Sequence, residues 1–120
     1  MNICLDARWI FREITGIGLY TQELIRALAR VNRTHTFTLL FSDVEVQERT
    51  RRETRFDQNP RFTTQRVPCG PFSIKNQLCL PAWLRRRGFD LYHSTNFMMP
   101  LPSCGRVRRA VTIHDLIPLL

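Results

Sequence analysis

The sequence lacks any apolar run long enough to cross a membrane. None of its 120 residues falls in a stretch of about 18 consecutive apolar residues. We also expect no secretory leader, because the charged residues Asp6 and Arg8 follow Met1 too closely. We therefore expect a cytoplasmic protein with reduced thiols, whose only contact with a membrane would be peripheral, at the inner face.

Metal-binding spacing is missing too. No two of the four cysteines form a C-x-x-C pair, and Cys69 and Cys79, the nearest pair, are too far apart for a zinc knuckle. We therefore expect no metal. Aromatic residues interleaved with basic ones, as in RNA-binding strands, are also absent, so nucleic acid is not the expected partner.

Lysine is almost absent, whereas arginine is abundant. Eighteen Lys and Arg against ten Asp and Glu give a net charge of +8, and all but one of these cations are arginines. Guanidinium groups bind phosphate and carboxylate through paired hydrogen bonds, so the arginines could serve an anionic partner such as a phospholipid surface or a polyphosphate carrier. Solvated helix faces and loops explain them equally well. The arginines cluster at Arg49, Arg51, Arg52 and Arg55, at Arg85, Arg86 and Arg87, and at Arg106, Arg108 and Arg109.

Hydrophobic periodicity predicts strands that alternate with helices. A hydrophobic content of 43% suits one folded domain. We predict strands at residues 2–5, 36–41, 61–67, 90–94 and 110–114, and helices at residues 17–31 and 72–87. Residues 43–55 are polar and could form a charged surface helix. The alternation predicts an α/β fold, with a Rossmann-like parallel sheet flanked by helices.

The buried faces of the helices follow from the same periodicity. In helix 17–31, the spacing predicts an apolar face of Leu24, Ile25, Leu28 and Val31, with Gln22 facing outward. In helix 72–87, it predicts a kink at Pro81. The expected buried side of that helix consists of Ile74, Leu78 and either Trp83 or Leu84.

Polar residues follow several of the predicted strands. In open parallel sheets, ligands bind beyond the carboxyl ends of the strands. We expect four polar sets there, namely Asp6 with the glycine loop, Ser42-Asp43, His93-Ser94 and His114-Asp115.

The glycine loop Thr15-Gly16-Ile17-Gly18 precedes the first helix. Its N–H groups and the positive end of the helix dipole could receive a phosphate. A dinucleotide fingerprint would need a third glycine where Thr21 stands, and a shorter loop, so NAD is disfavoured. A flexible turn with a helix cap explains the same residues.

His114 and Asp115 end the last predicted strand. The histidine could donate to a sugar hydroxyl or a phosphate, and the aspartate could orient it or accept from an acceptor hydroxyl. A structural histidine beside an aspartate that caps the next turn explains them equally well. His93-Ser94 has the same two interpretations.

Five motifs in order resemble the N-terminal region of the family 4 glycosyltransferases. These are mannosyltransferase-like retaining enzymes of bacterial polysaccharide and lipid glycosylation. The resemblance covers nearly the whole chain. The motifs are Asp6-Ala7-Arg8, Thr15-Gly16-Ile17-Gly18 with residues 19–24, Gln77-Leu78-Cys79-Leu80-Pro81, Asp90-Leu91-Tyr92-His93-Ser94, and Thr112-Ile113-His114-Asp115-Leu116-Ile117-Pro118.

The resemblance implies the acceptor-side, N-terminal half of a GT-B fold, in which two Rossmann-like domains face each other across a cleft. Gly16 and Gly18 match the family's loop against the donor diphosphate. His114, with Asp115 beside it, matches a histidine that touches the transferred sugar. Asp6, His93 and Ser94 would lie on the acceptor side. No metal is expected in such enzymes, because helix termini and basic side chains take the diphosphate charge.

Two departures from the family pattern bear on activity. Leu19 stands where the family commonly has a basic residue after the glycines, and no C-terminal donor domain with its paired glutamates is present in residues 1–120. We therefore expect a partial acceptor-side domain that is inactive alone, part of a hexosyltransferase that uses a nucleotide-sugar and a saccharide or lipid-linked acceptor. The alternatives are a non-catalytic truncated remnant or binding module for an anionic partner, and an unrelated α/β module of flavodoxin type.

Overall fold

A computed structural model describes residues 1–68, 70, 74–96 and 105–114. In chain order, this part of the protein contains β1 (Asn2–Asp6), α1 (Gly16–Val31), β2 (Thr36–Phe41), α2 (Val44–Thr54), β3 (Phe62–Arg66), α3 (Ile74–Arg87), β4 (Leu91–Ser94) and β5 (Arg108–Val111). A 3₁₀ turn at Phe56–Gln58 joins α2 to β3. No helix in these ranges is long and apolar enough to span a membrane.

The five strands form one sheet in the order β3-β2-β1-β4-β5, and every neighbouring pair is parallel. The predicted α/β fold with a parallel, helix-flanked sheet is confirmed. Because the strands are parallel, all their carboxyl ends lie at one edge. The chain builds outward from β1 in one direction and then continues on its other side with β4, so the topological switch point lies between β1 and β4.

Helices cover both faces of the sheet because the central strands are apolar on both sides. Leu5 of β1 packs in one cluster with Ile25 of α1. Its strand neighbour Cys4 packs in a second cluster with Leu84 of α3. All four side chains are fully buried. A buried leucine or isoleucine contributes roughly 1.5–3 kcal/mol relative to an exposed one, so these two layers supply much of the driving force for folding.

The predicted elements are all present, but their bounds differ in informative ways. β2 has the predicted bounds, and the polar segment 43–55 forms α2, which Asp43 caps by accepting from the Glu45 N–H at 2.9 Å. The prediction for β5 was wrong by about two residues. β5 ends at Val111, so His114 lies three residues beyond the strand.

The predicted burial of three helical residues was wrong. Gln22 is buried in α1, whereas Val31, the last residue of that helix, is 71% exposed. Ile74, the first residue of α3, is 80% exposed. Helical periodicity continues to the helix ends, so it predicts burial for terminal apolar residues such as Val31 and Ile74, which the structure leaves exposed. Of the two residues predicted as alternatives in α3, Leu84 is fully buried and Trp83 half-buried.

Arg55 ends α2 in the left-handed conformation, at φ 55° and ψ 34°. It is the one non-glycine residue with positive φ among the residues described. We expect Arg55→Gly to raise the free energy of unfolding by up to about 1 kcal/mol, because glycine adopts this conformation without a Cβ penalty. Arg52→Gly, within α2, should lower it by up to about 1 kcal/mol. Urea unfolding followed by circular dichroism measures both, and a destabilised Arg55→Gly would contradict the expectation.

Candidate functional site

Several chain segments meet at the carboxyl edge of the sheet, beside the switch point. They are the loop after β1, the first turn of α1, the residues after β4 and the residues after β5. Parallel α/β sheets bind ligands in the crevice at this place. Gly16, Gly18 and His114 fall on these segments, whereas Asp6, His93 and Ser94 lie at the ends of β1 and β4. The contacts below show which of them come together.

In the first turn of α1, the N-cap side chain accepts from only one backbone N–H group. Thr15 Oγ1 accepts a hydrogen bond from the Gly18 N–H at 3.3 Å. No described residue accepts from the N–H groups of Gly16 or Ile17, and the first turn contains no acidic residue. Within the described part of the chain, the first turn thus leaves the positive end of the helix dipole without a carboxylate of its own, which is the arrangement that suits an anion.

The two glycines differ in what surrounds them. A Cβ on Gly18 would meet the Ile10 Cα and the Trp9 carbonyl oxygen, each at 3.5 Å, so this glycine packs against the β1–α1 loop. A Cβ on Gly16 would meet nothing within 4 Å. Neither glycine has positive φ. The fold therefore does not require glycine at position 16.

His114 lies against α1 and the segment after β4. Its Nε2 is 2.6 Å from the carbonyl oxygen of Thr95, and its ring meets the ring of Tyr20 edge-on, with centroids 4.6 Å apart. A carbonyl oxygen only accepts, so Nε2 carries the proton. Nδ1 is then the ring atom on the other side, and it has no hydrogen-bond partner among the residues described.

Two threonines complete the link between these segments. The hydroxyl oxygens of Thr21 and Thr95 are 2.8 Å apart, and Thr21 Oγ1 is also 2.8 Å from the Ile17 carbonyl oxygen. Both threonines are fully buried. In the sequence, Tyr20 and Thr21 were noted only as members of the motif that begins with the glycine loop, with Thr21 in the place of a third glycine, and no sequence signal pointed to Thr95. These three residues hold His114 at the first turns of α1.

His93 and Ser94 are neighbours that point to opposite faces of the sheet. His93 Nε2 is 2.8 Å from Thr112 Oγ1, whereas the fully buried Ser94 donates its hydroxyl to the Asn96 carbonyl at 2.9 Å. Burial lowers the pKa of His93 below its ordinary value of 6.5. The structure therefore places the two side chains in separate environments, and their acceptor-side role stays a prediction.

Asp6 is the centre of a buried polar network. Arg8 donates to Oδ1 from Nε at 2.9 Å and to Oδ2 from its terminal nitrogen at 2.6 Å, and the Arg8 N–H donates to Oδ1 at 3.1 Å. The Tyr92 hydroxyl donates to Oδ2 at 2.5 Å. All three side chains are at most 2% exposed. Asp6 can therefore act at the site by holding the β1–α1 loop against β4.

This network also shifts the ionisation of its neighbours. Burial, reinforced by the negative charge of Asp6, raises the pKa of the Tyr92 hydroxyl well above its ordinary value. The same two causes raise the pKa of the Cys4 thiol. Cys4 is therefore an inert thiol.

The remaining predicted polar sets are structural or lie outside the described residues. Asp43, which follows β2 and Ser42, caps α2 and pairs with Arg12 at 2.7 Å, which lowers the pKa of its carboxyl group. Asp115 lies outside the described residues. No group of three or more potential metal ligands occurs in the described part of the chain.

Two arginines of the first sequence cluster make contacts within the protein. Arg49 donates to the carbonyls of Phe11 and Arg12, at 2.5 and 2.6 Å, and so ties α2 to the β1–α1 loop. Arg51 pairs with Glu48 and Asp57. These contacts favour the structural explanation for the first cluster.

This geometry defines the class of protein. It is a doubly wound α/β domain in which a helix N-terminus and a histidine lie beside the switch point. Residues 14–119 match the sequence pattern of Glycosyltransferase Family 4, so the chain belongs to that family and has a glycosyltransferase-type function. Searches of curated proteins and of solved structures gave no match. The fold is that of one Rossmann-like half of a GT-B enzyme.

Removal of Asp6 should destabilise the domain strongly. We expect Asp6→Ala to lower the free energy of unfolding by about 3–5 kcal/mol, because the buried guanidinium of Arg8 would lose the carboxylate that pairs with it. The matched control Asp57→Ala removes an exposed partner of Arg51 and should change it by less than about 1 kcal/mol. Urea unfolding at neutral pH compares them. Equal effects of the two substitutions would rule out the network as a stabilising element.

The lowered pKa of His93 predicts a loss of stability in mild acid. Below pH 6.5 the unfolded chain binds a proton at this residue that the folded protein does not, so the free energy of unfolding falls as the pH drops from 6.5 towards the lower folded-state pKa. His93→Gln should flatten this slope, whereas His35→Gln should retain it. Urea unfolding at a series of pH values between about 7 and 5 tests the difference. An unchanged slope in His93→Gln would contradict it.

Proposed function

We propose that this domain is the N-terminal, acceptor-side part of a retaining hexosyltransferase. The enzyme would transfer a hexose such as mannose from a nucleotide-sugar to a saccharide or lipid-linked acceptor. Family membership supports glycosyl transfer in general. The donor class and the stereochemistry rest on the resemblance described above. A C-terminal domain would supply the remaining donor contacts, including the paired glutamates.

The observation that carries the proposal is the placement of His114 beside the first turns of α1. The Thr95 carbonyl fixes the proton on Nε2, and Tyr20 supports the ring edge-on. Nδ1 can then accept a hydrogen bond from a hydroxyl of the transferred sugar. A fixed tautomer contributes to catalysis because the enzyme does not have to reorganise the ring during the reaction.

The N-terminus of α1 would take the donor diphosphate. The N–H groups of Gly16 and Ile17 and the dipole of a 16-residue helix supply positive potential without a metal ion. Gly18, whose N–H is bonded to Thr15, would contribute by keeping the helix close to the β1–α1 loop. As the bond between the sugar and the diphosphate breaks, its electron pair leaves with the diphosphate, and this end of the helix would stabilise the added charge.

The acceptor would lie beside the ends of β1 and β4. His93 and Ser94 follow the resemblance in this role, and Asp6 would position the loop that forms the wall of the site. The acceptor oxygen forms the new bond to the sugar, and Asp115 would take its proton. Exposed arginines would allow peripheral contact with an anionic membrane, which suits lipid-linked acceptors.

A transfer assay tests the proposal in an enzyme that carries this domain together with a donor domain. Release of nucleoside diphosphate from GDP-mannose, with acceptor present, is the measurement. His114→Ala should lower kcat by about 100-fold, the range for loss of a positioned polar group at the reacting centre. His35→Ala is the matched control, because His35 lies between α1 and β2 at the opposite edge of the sheet, and it should retain activity. Equal activity of the two variants would overturn the role of His114.

Gly16→Ala in the same assay separates a binding loop from a flexible turn. The fold accepts a Cβ at this position, so the free energy of unfolding should stay the same or rise slightly. Activity should nevertheless fall by about tenfold, because the added methyl group hinders the approach of the diphosphate to the backbone. Unchanged activity would indicate that Gly16 is only part of a turn.

A further inference from the structure

A second concave region lies at the opposite edge of the sheet from the candidate active site. It is a cavity of about 590 Å³ between the carboxyl ends of α1 and α2 and the turn that leads into β3. Five arginines contribute to its lining, and Glu53 is the one carboxylate in that lining. The arginines are Arg26, Arg30, Arg33, Arg55 and Arg61. They come from three separate stretches of the chain, so the sequence clusters did not reveal them together.

The floor of this arginine cavity is a fixed polar framework. The buried Asn59 donates from Nδ2 to the carbonyls of Ala29 and Asn32, at 3.0 and 3.1 Å, and accepts from the Arg61 N–H at 3.0 Å. Asn32 in turn bonds both the N–H and the carbonyl of His35. These bonds tie the segment that carries Arg61 to the end of α1.

Two of the five arginines already satisfy the helix ends. Arg33 donates to the carbonyls of Arg30 and Asn32, each at 3.2 Å, and Arg26 donates to the Glu53 carbonyl at 2.8 Å. Arg26 also pairs with Glu23. Cations near a helix C-terminus are favourable, and these two fulfil that role for α1 and α2.

The other three arginines donate no side-chain hydrogen bond to a helix end, although Arg30 lies in the last turn of α1 and Arg55 is the C-cap of α2. The side chains of Arg30, Arg55 and Arg61 are exposed and have no hydrogen-bond or ion-pair partner among the described residues. Arg12 and Arg51 elsewhere on the surface pair with carboxylates. Arg55 also adopts the left-handed conformation that glycine would adopt at lower cost. The protein therefore carries three like charges around one cavity, one of them at a backbone position that favours another residue.

We propose that the arginine cavity binds a phosphate group, as a monoester or a diphosphate, from either a soluble molecule or a lipid headgroup. Phosphate oxygens accept paired hydrogen bonds from guanidinium groups, and a doubly charged anion best offsets three arginines. The cavity lies at the amino ends of the strands, and strands of five or six residues separate it from the switch point by about 15–20 Å. It is therefore a separate site from the one proposed for the donor diphosphate.

A titration with inorganic pyrophosphate tests the proposal directly. Backbone amide NMR of the full chain should show saturable shifts centred on Asn32, Arg55 and Arg61, with a smaller response to chloride at equal ionic strength. The triple variant Arg30→Gln, Arg55→Gln, Arg61→Gln should bind at least about tenfold more weakly, as expected for the loss of several charge-assisted hydrogen bonds. The matched control Arg52→Gln, Arg66→Gln, Arg86→Gln removes equal charge outside the cavity and should bind like the unaltered protein.

Further measurements exclude a folding artefact and identify the source of the phosphate. If the triple variant fails to fold, Arg61→Gln alone is measured instead. This substitution is at an exposed position and should weaken pyrophosphate binding several-fold. Vesicles of phosphatidic acid, compared with vesicles of phosphatidylcholine, test a lipid source. Binding to phosphatidic acid that is lost in the cavity variant indicates a headgroup, and binding of pyrophosphate alone indicates a soluble ligand. Equal loss of pyrophosphate binding in the cavity and control triple variants, or shifts spread over all exposed arginines, would overturn the proposal.

Discussion

The buried contact of Asp6 with Arg8 and Tyr92 is the constraint on which the site depends. A guanidinium that is at most 2% exposed is tolerated only where a carboxylate matches its charge and geometry. The carboxylate ends β1, the guanidinium lies two residues along the loop, and the phenol belongs to β4. The network therefore fixes the start of the β1–α1 loop against the strand across the switch point, and Trp9 and Ile10 are buried immediately after it.

The position of α1 follows from that loop. Gly18 lies close to the backbone of Trp9 and Ile10, and Arg49 of α2 holds the next two residues of the loop through their carbonyls. The first turn of α1 is thus positioned from the inside by the loop, while Thr21 bonds Thr95, the residue that follows β4. His114 then rests on Thr95 and Tyr20. Each of these contacts joins two segments of the chain. The site is therefore assembled from several short contacts between helices, strands and loops.

The two edges of the sheet differ in how they present positive charge. At the carboxyl edge, the positive potential comes from the N-terminus of α1, through backbone N–H groups that cannot lose a proton or move independently. At the amino edge, it comes from flexible guanidinium groups over a floor fixed by Asn32 and Asn59. A helix terminus suits a reaction in which charge develops at one point, because the donors are already in place. Side-chain arginines suit binding of an anion whose position is less strictly defined.

The sequence by itself determined the order and type of the elements, because hydrophobic periodicity reports directly on which residues face a core. It also determined the family, since the five motifs and their order can be read without knowledge of their contacts. It could not show that the Asp6 carboxylate accepts hydrogen bonds from Arg8 and Tyr92, because Tyr92 reaches Asp6 only through the pairing of β1 with β4. It placed His114 at the end of a strand, whereas β5 ends earlier and a neighbouring carbonyl fixes the ring. It grouped arginines by closeness in the chain, whereas the arginine cavity combines residues from separate stretches. These features were decided by tertiary structure alone, because each depends on atoms brought together by strand pairing and helix packing, and periodicity in one segment carries no record of the segment that packs against it.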